Sequence, residues 1–225
     1  MRALIFDLDG TLLDSLADIA TAMNTALAEH GLAPYPFDAY RQFVGEGVEV
    51  LIERAVLEPA LRPAVLHTYR DGYGEGLGGE TRPYPGIREL LVELSALRVP
   101  MAVLSNKPDR PTQRLVASLL PGHFVAVAGA KANVPKKPDP RVALAIAAEL
   151  GVAPADCGFV GDTATDMRTA TAAGMVPIGV AWGFRSREEL TTHGARWLLE
   201  HPAQLLPLGA WATATTATTA TQGVR

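Results

Sequence analysis

Ala3-Leu4-Ile5-Phe6-Asp7-Leu8-Asp9-Gly10-Thr11-Leu12 stands at the amino terminus of a 225-residue chain. Its first four residues are wholly apolar, and the run stops at an acid that a glycine and a threonine soon follow. A short apolar run of this kind predicts a strand buried on both faces, as in a parallel sheet. Asp7 to Thr11 then falls at the carboxyl end of that strand, where open α/β sheets hold their ligands. The same acid comes too early for the apolar region of a secretory signal.

Beyond Leu12 comes a long stretch with no strand pattern. Leu16, Ile19, Ala20, Met23 and Leu27 recur at helical spacing, with Ser15 or Asp14 placed as N-cap and Gly31 as the stop. Val48, Leu51, Ile52 and Ala55 make a second stripe, and Leu61, Val65 and Tyr69 a weaker third. Three helices over about 14–31, 47–57 and 60–77 therefore form an all-helical insert, closed by the breakers Gly76 to Gly79 and Pro83 to Gly86. After Gly86 strands and helices alternate. Strands are predicted at 99–104, 124–127, 158–160, 177–181 and 197–199, and helices at 87–97, 110–120, 139–150 and 165–173. Such alternation means βαβ units and a doubly wound, mainly parallel α/β sheet. Residues 1–13 and 83–208 are assigned to this core, 14–82 to the insert, and 209–225 to a disordered tail, since 212–221 are Ala and Thr only.

Composition narrows the classes of function. Lys plus Arg number 20 against 24 Asp plus Glu, for a formal net charge of -4. That balance argues against a nucleic-acid binder and against docking on an anionic membrane. The single cysteine, Cys157, excludes an intrachain disulfide, reads as inert core and suits a cytoplasmic location. No apolar run approaches the ~18 residues of a bilayer span.

Polar residues cluster at four predicted strand ends or loops: Asp7, Asp9, Gly10 and Thr11; Ser105, Asn106 and Lys107; Lys136 and Lys137; and Gly161, Asp162, Thr163 and Asp166. Four aspartates in one crevice repel each other unless a cation sits among them, and oxygen-only ligands suit a hard ion such as Mg²⁺. Ser, Asn and Lys nearby suit an anion with several oxygens, and amide groups of the Asp9–Thr11 turn are expected to point at it. Metal, anion and spare carboxylates make phosphoryl transfer the economical reading.

Phe6-Asp7-Leu8-Asp9-Gly10-Thr11-Leu12 resembles the first motif of the haloacid dehalogenase superfamily. Ser105 resembles its second, Lys137 its third and Gly161-Asp162-Thr163-Ala164-Thr165-Asp166 its fourth. Phe43-Val44-Gly45-Glu46-Gly47, Tyr84-Pro85-Gly86, Ser105-Asn106-Lys107-Pro108, Lys137-Pro138-Asp139-Pro140 and Trp182-Gly183 look like the phosphoglycolate phosphatase branch. The resemblance implies a Rossmann-like core with a small α-helical cap inserted after the first strand. It also implies Mg²⁺ and an aspartyl-phosphate mechanism on a small phosphorylated metabolite. In that scheme Asp7 is the nucleophile and Asp9 the general acid and base. Gly10, Thr11, Ser105, Asn106 and Lys137 bind phosphate. Asp7, Asp162, Asp166 and the Asp9 main chain hold the metal, Asp166 through water or by orienting its neighbours.

Some residues keep two readings. Lys107 either reaches the substrate or pairs with an acid of the cap, and Lys136 competes with Lys137. Gly45 and Gly47 either touch substrate or break helices. Arg54 reads as a solvated helix charge, Trp182 and Gly183 as packing or loop geometry, and the five histidines take no role. The alternatives to a phosphoglycolate phosphatase are a phosphatase for another sugar phosphate or pyrophosphate, a phosphomutase, or a non-catalytic relative. Dehalogenation is excluded by Asp9, and phosphonate hydrolysis by the absence of any Lys between residues 14 and 82. Oligomeric state leaves no trace in the sequence.

Overall fold

The computed structural model describes residues 1–75, 79–209 and 211. In chain order the elements are β1 (Ala3–Phe6), β2 (Leu13–Asp14), α1 (Leu16–Glu29), α2 (Tyr40–Phe43), α3 (Val48–Ala55), α4 (Arg62–Glu75), β3 (Arg82–Pro83), α5 (Ile87–Ala96) and β4 (Met101–Pro108). There follow α6 (Asp109–Leu119), β5 (Ala126–Ala130), α7 (Arg141–Glu149), β6 (Cys157–Gly161), α8 (Ala164–Ala172), β7 (Val176–Val180), α9 (Arg187–Thr192) and β8 (Trp197–Leu199). Six strands make one parallel sheet in the order β5-β4-β1-β6-β7-β8.

The apolar run that opens the chain is the middle of that sheet. Leu4 and Phe6 pack into one hydrophobic cluster, and Ala3 and Ile5 into another on the opposite face. Met101 and Val103 of β4 divide from Ala102 and Leu104 in the same way. Side chains alternate along a strand, so both faces of the sheet are covered and no polar position survives inside β1. From β1 the chain proceeds to β4 and β5 on one side, then returns to β6 on the other. The reversal of strand order leaves a crevice beyond the carboxyl ends of β1 and β6.

The helical insert leaves and re-enters the core through a small antiparallel ribbon, with Leu13 opposite Pro83 and Asp14 opposite Arg82. Asp18 binds the returning chain through the amides of Glu80 and Thr81 and the Thr81 hydroxyl. Inside the insert α1 packs on α4, and α3 on both α2 and α4. They surround a cluster built on Ile19, Met23, Leu27, Tyr40, Leu51 and Val65.

Several expectations need adjustment. The insert holds an additional short helix, α2, and residues 76–77 of the expected third helix lie outside the described residues. Neither the β2–β3 ribbon nor α9 was anticipated. Strand β4 runs past Leu104 to Pro108, and its pairing with β5 shifts register between those residues. The irregularity re-aims Ser105, Asn106 and Lys107 at the end of the strand. Ser15 sits at the N-cap of α1, yet its hydroxyl makes no cap bond. The chain after 208 is not tail from its first residue. Trp211 is buried in the core cluster, and its indole N–H donates to Leu206 O at 2.9 Å. The Ala/Thr run 212–221 lies outside the described residues.

Candidate active site

Asp7 follows directly on β1, and its amide is fixed by Val160 O of β6 at 2.9 Å. Asp162 follows β6, and Asp166 lies in the first turn of α8. One carboxylate oxygen from each of Asp7, Asp162 and Asp166 lies within 4.8 Å of the others, and all three residues are buried. The Lys137 ammonium, carried in from the loop after β5, stands 2.8 Å from Asp7 Oδ1 and 2.6 Å from Asp166 Oδ1. Asp7 Oδ1 is buried, and this ion pair with Lys137 is its partner among the described residues.

Burial dominates the electrostatics. It pushes the Asp7 carboxyl up to about 7, against the pull of Lys137 and with Asp166 and Asp9 adding to the push. Asp162 is driven well above the usual carboxylate range by burial, then by Asp166 and Asp7. Burial would lower Lys137, but Asp166 and Asp7 beside it overcome that and keep it protonated. Among the described residues Asp7, Asp9, Asp162 and Asp166 face two buried ammonium groups, Lys107 and Lys137. With all four acids ionised two negative charges would be left over, and a divalent cation among Asp7, Asp162 and Asp166 would neutralise them and hold these acids ionised against burial. The three buried carboxylates, an all-oxygen donor set, fit such an ion.

Asp9 belongs to a different arrangement. Its carboxylate accepts from Ser15 Oγ at 2.6 Å on Oδ1 and from Lys107 Nζ at 3.0 Å on both oxygens. Lys107 Nζ also donates to the Tyr73 hydroxyl at 2.6 Å. Of the two readings of Lys107, the cap partner is a phenol and not an acid, so that Lys107 bridges the core acid Asp9 to Tyr73, and it also lines the cavity where substrate contact was the other reading. Only the Asp9 main chain remains for the cation.

Three expected phosphate contacts have other partners. The Gly10 N–H donates to Leu13 O at 2.9 Å and the Thr11 N–H to Leu8 O at 3.3 Å, so these amides close the turn instead of facing an anion. The Thr11 hydroxyl donates to Asp162 Oδ1 at 3.0 Å. The Asn106 amide group donates to Lys137 O and to Gly45 O of the cap, and its oxygen accepts from Lys137 N–H at 2.9 Å. Asn106 therefore fixes the backbone that carries Lys137. Ser105 keeps its place beside Asp7 in the cavity lining.

The remaining residues are supports. Asp166 Oδ2 accepts from the Thr163 N–H and hydroxyl, a capping box at the start of α8. Lys136 pairs with Glu49 of the cap. Arg54 braces the cap loop through Glu46 and the Gln42 and Phe43 carbonyls. Trp182 does border the site, its indole N–H donating to Thr11 O at 3.0 Å. Cys157 is buried and its thiol is pushed up to about 12 by burial. Above the acids opens a cavity of about 1000 Å³ between core and cap, bounded by Asp7, Asp9 and Ser105 below and by Gly45, Val48 and Tyr73 above.

Gly10 shows how tightly the floor is built. Its φ is +84°, and a Cβ there would stand 2.2 Å from Asp162 Oδ2. Gly10→Ala should displace the Asp162 carboxylate and strain the turn by about 1–2 kcal/mol. The expected result is a divalent-cation affinity weakened about tenfold or more, read by isothermal titration calorimetry.

Residues 1–174 match the family of haloacid dehalogenase-like hydrolases. The chain belongs to that family. The hydrolase is 34% identical over 215 residues to a phosphoglycolate phosphatase of Pseudomonas putida, covering 92% of this chain and 79% of the relative. It is 36% identical over 217 residues to a phosphoglycolate phosphatase of Chromobacterium violaceum, covering 92% and 96%. A solved structure of a candidate phosphoglycolate phosphatase from Lactobacillus delbrueckii superposes with a TM-score of 0.87 at 32% identity, covering 91% of the hydrolase and 96% of that chain. These relatives do not favour the mutase or binding-protein alternatives. Among the described residues no helix is long and apolar enough to cross a membrane.

Proposed function

We propose that the hydrolase is a Mg²⁺-dependent phosphomonoesterase with 2-phosphoglycolate as its preferred substrate. The observation that carries this reading is the group of three buried carboxylates, Asp7, Asp162 and Asp166, with the Lys137 ammonium beside Asp7 at the floor of the cavity. Asp7 attacks phosphorus, the bond to the leaving oxygen breaks, and an aspartyl-phosphate forms. Asp9 lines the same cavity, and in its protonated form, released from Lys107 and Ser15, it gives a proton to the leaving alkoxide and later takes one from the water that hydrolyses the intermediate. The Ser105 hydroxyl and Lys137 ammonium hold the phosphoryl oxygens as negative charge redistributes over them. Asp7, Asp162 and the Asp9 carbonyl would hold Mg²⁺, with Asp166 orienting its neighbours, and the bound ion would supply charge neutralisation for nucleophile and phosphate.

The cap serves to exclude water and to select the alcohol part of the substrate. This reading divides the chain into a core of 1–13 and 83–208, with Trp211 packed on it, and a cap of 14–82, supported by the hydrophobic cluster built largely within the insert. A cytoplasmic setting suits the buried reduced cysteine. The test is a panel of phosphorylated metabolites ranked by kcat/KM, with and without a chelator. 2-Phosphoglycolate should lead the ranking, and activity should vanish on chelation. A flat profile would sink the substrate assignment, and chelator-resistant activity the metal.

A further inference from the structure

Trp182-Gly183-Phe184-Arg185, the segment after β7, touches the acidic triad and the cap at once. Trp182 holds Thr11 O, and Thr11 in turn holds Asp162. Gly183 lies so close that a Cβ would stand 2.3 Å from Asp162 Cβ and 2.4 Å from Gly10 O. The Phe184 N–H donates to Asp162 Oδ2 at 2.9 Å. Its side chain, however, is buried in the hydrophobic cluster of the cap; among the described buried residues of that cluster, it alone comes from outside the insert. Arg185 continues the crossing, with Nη2 donating to Val44 O at 2.8 Å and Gln42 O at 3.3 Å. In return Arg41 of the cap donates to Gly183 O at 3.1 Å.

We propose that Phe184 and Arg185 are positioning residues that couple cation occupancy at Asp162 to the seating of the cap. The inference rests on the divalent-cation reading of the triad. If the cap lifts, the Phe184 ring loses its apolar surroundings and the Arg185 guanidinium loses its two carbonyls. Arg185 has little to replace them, since its Nη1 is buried without a hydrogen-bond partner and Glu189 stands 3.5 Å from its Nε. The segment then relaxes, and Asp162 loses the Phe184 amide that aims one of its oxygens. A seated cap and a correctly aimed Asp162 therefore favour each other. A ligand drawn to the aimed carboxylate shifts the cap toward its seated state, and the seated cap strengthens that ligand by the same factor.

The experiment measures hydrogen exchange of cap residues 41–47 in the full chain, with and without Mg²⁺, alongside Mg²⁺ titration by calorimetry. In the unaltered protein Mg²⁺ should slow exchange there by about fivefold or more, the usual scale of coupling between sites. Residues 141–149 on α7, away from the segment, serve as the control and should not respond. Arg185→Met and the milder Phe184→Leu should cut the slowing below about twofold and weaken Mg²⁺ by a matching factor. If Mg²⁺ binds the unaltered protein yet exchange over 41–47 is unchanged, the coupling is refuted while the metal site stands. Full retention of the response in both variants refutes the assigned residues. If Mg²⁺ does not bind at all, the metal reading fails and the coupling falls with it. Should Arg185→Met not fold, the unaltered chain and Phe184→Leu decide the matter.

Discussion

Asp7→Asn should abolish the hydrolysis of p-nitrophenyl phosphate in the presence of Mg²⁺, a loss on the order of 10⁴-fold or more in kcat. The amide nearly preserves the shape of the side chain and removes the nucleophilic oxygen, so the loss reports chemistry and not packing. A stability measurement separates the two. In the absence of metal the Asp7 carboxyl is pushed up to about 7 from an ordinary value of 3.8. An acid whose folded pKa lies above its unfolded value destabilises the fold as pH climbs from the lower value to the higher. The metal-free parent should therefore lose stability between about pH 4 and pH 7 on this account. The Asn variant escapes that loss and should melt higher at pH 8, by roughly 2–4 °C for each kcal/mol of relief. Mg²⁺ should raise the melting temperature of the parent and leave the variant nearly unmoved. An inactive variant that also melts lower than the metal-free parent would point to misfolding; persistent activity would remove Asp7 from the role of nucleophile.

The centre of this arrangement was legible because its sequence signals are local. A parallel strand buried on both faces has no alternation, so Ala3–Phe6 reads plainly as β1, and the polar residues after it mark the crevice. Residue types at strand ends brought Asp7, Ser105, Lys137, Asp162 and Asp166 to one place. What the pattern does not encode is the direction of a hydroxyl or an amide. Thr11 looked like a phosphate ligand, but its hydroxyl is taken by Asp162, which lies far along the chain. Asn106 likewise spends its amide on the Lys137 backbone and Gly45. The β2–β3 ribbon was invisible for another reason: two residues per strand, one of them a proline, carry no period. Phe184 and Arg185 gave no signal, because they fall in the loop between β7 and α9, where no period marks a buried face. Their importance comes from the cap they enter, and a linear reading cannot supply that partner.

Lys136 and Lys137 are adjacent and chemically identical, and the fold separates them completely. Lys137→Met should cost about 3–5 kcal/mol of stability in the metal-free protein, the penalty for leaving a buried charge without its partner. Asp7 and Asp166 both lean on that one ammonium, at 2.8 Å and 2.6 Å, and both are buried. Lys136→Met removes only a partly exposed pair with Glu49, for which about 0–1 kcal/mol is expected. Denaturant titration of the two variants side by side measures the difference. Mg²⁺ should recover part of the loss in Lys137→Met, because a cation among the same carboxylates restores the missing positive charge. Catalysis should not follow stability in that recovery. With the fold held by Mg²⁺, kcat for p-nitrophenyl phosphate should remain about 10²–10³-fold below the parent, since a donor to the phosphoryl oxygens is gone. Should Lys137→Met recover parental kcat under those conditions, Lys137 would be a structural counter-ion for Asp7 and Asp166, and Ser105 would be left to hold the phosphoryl group.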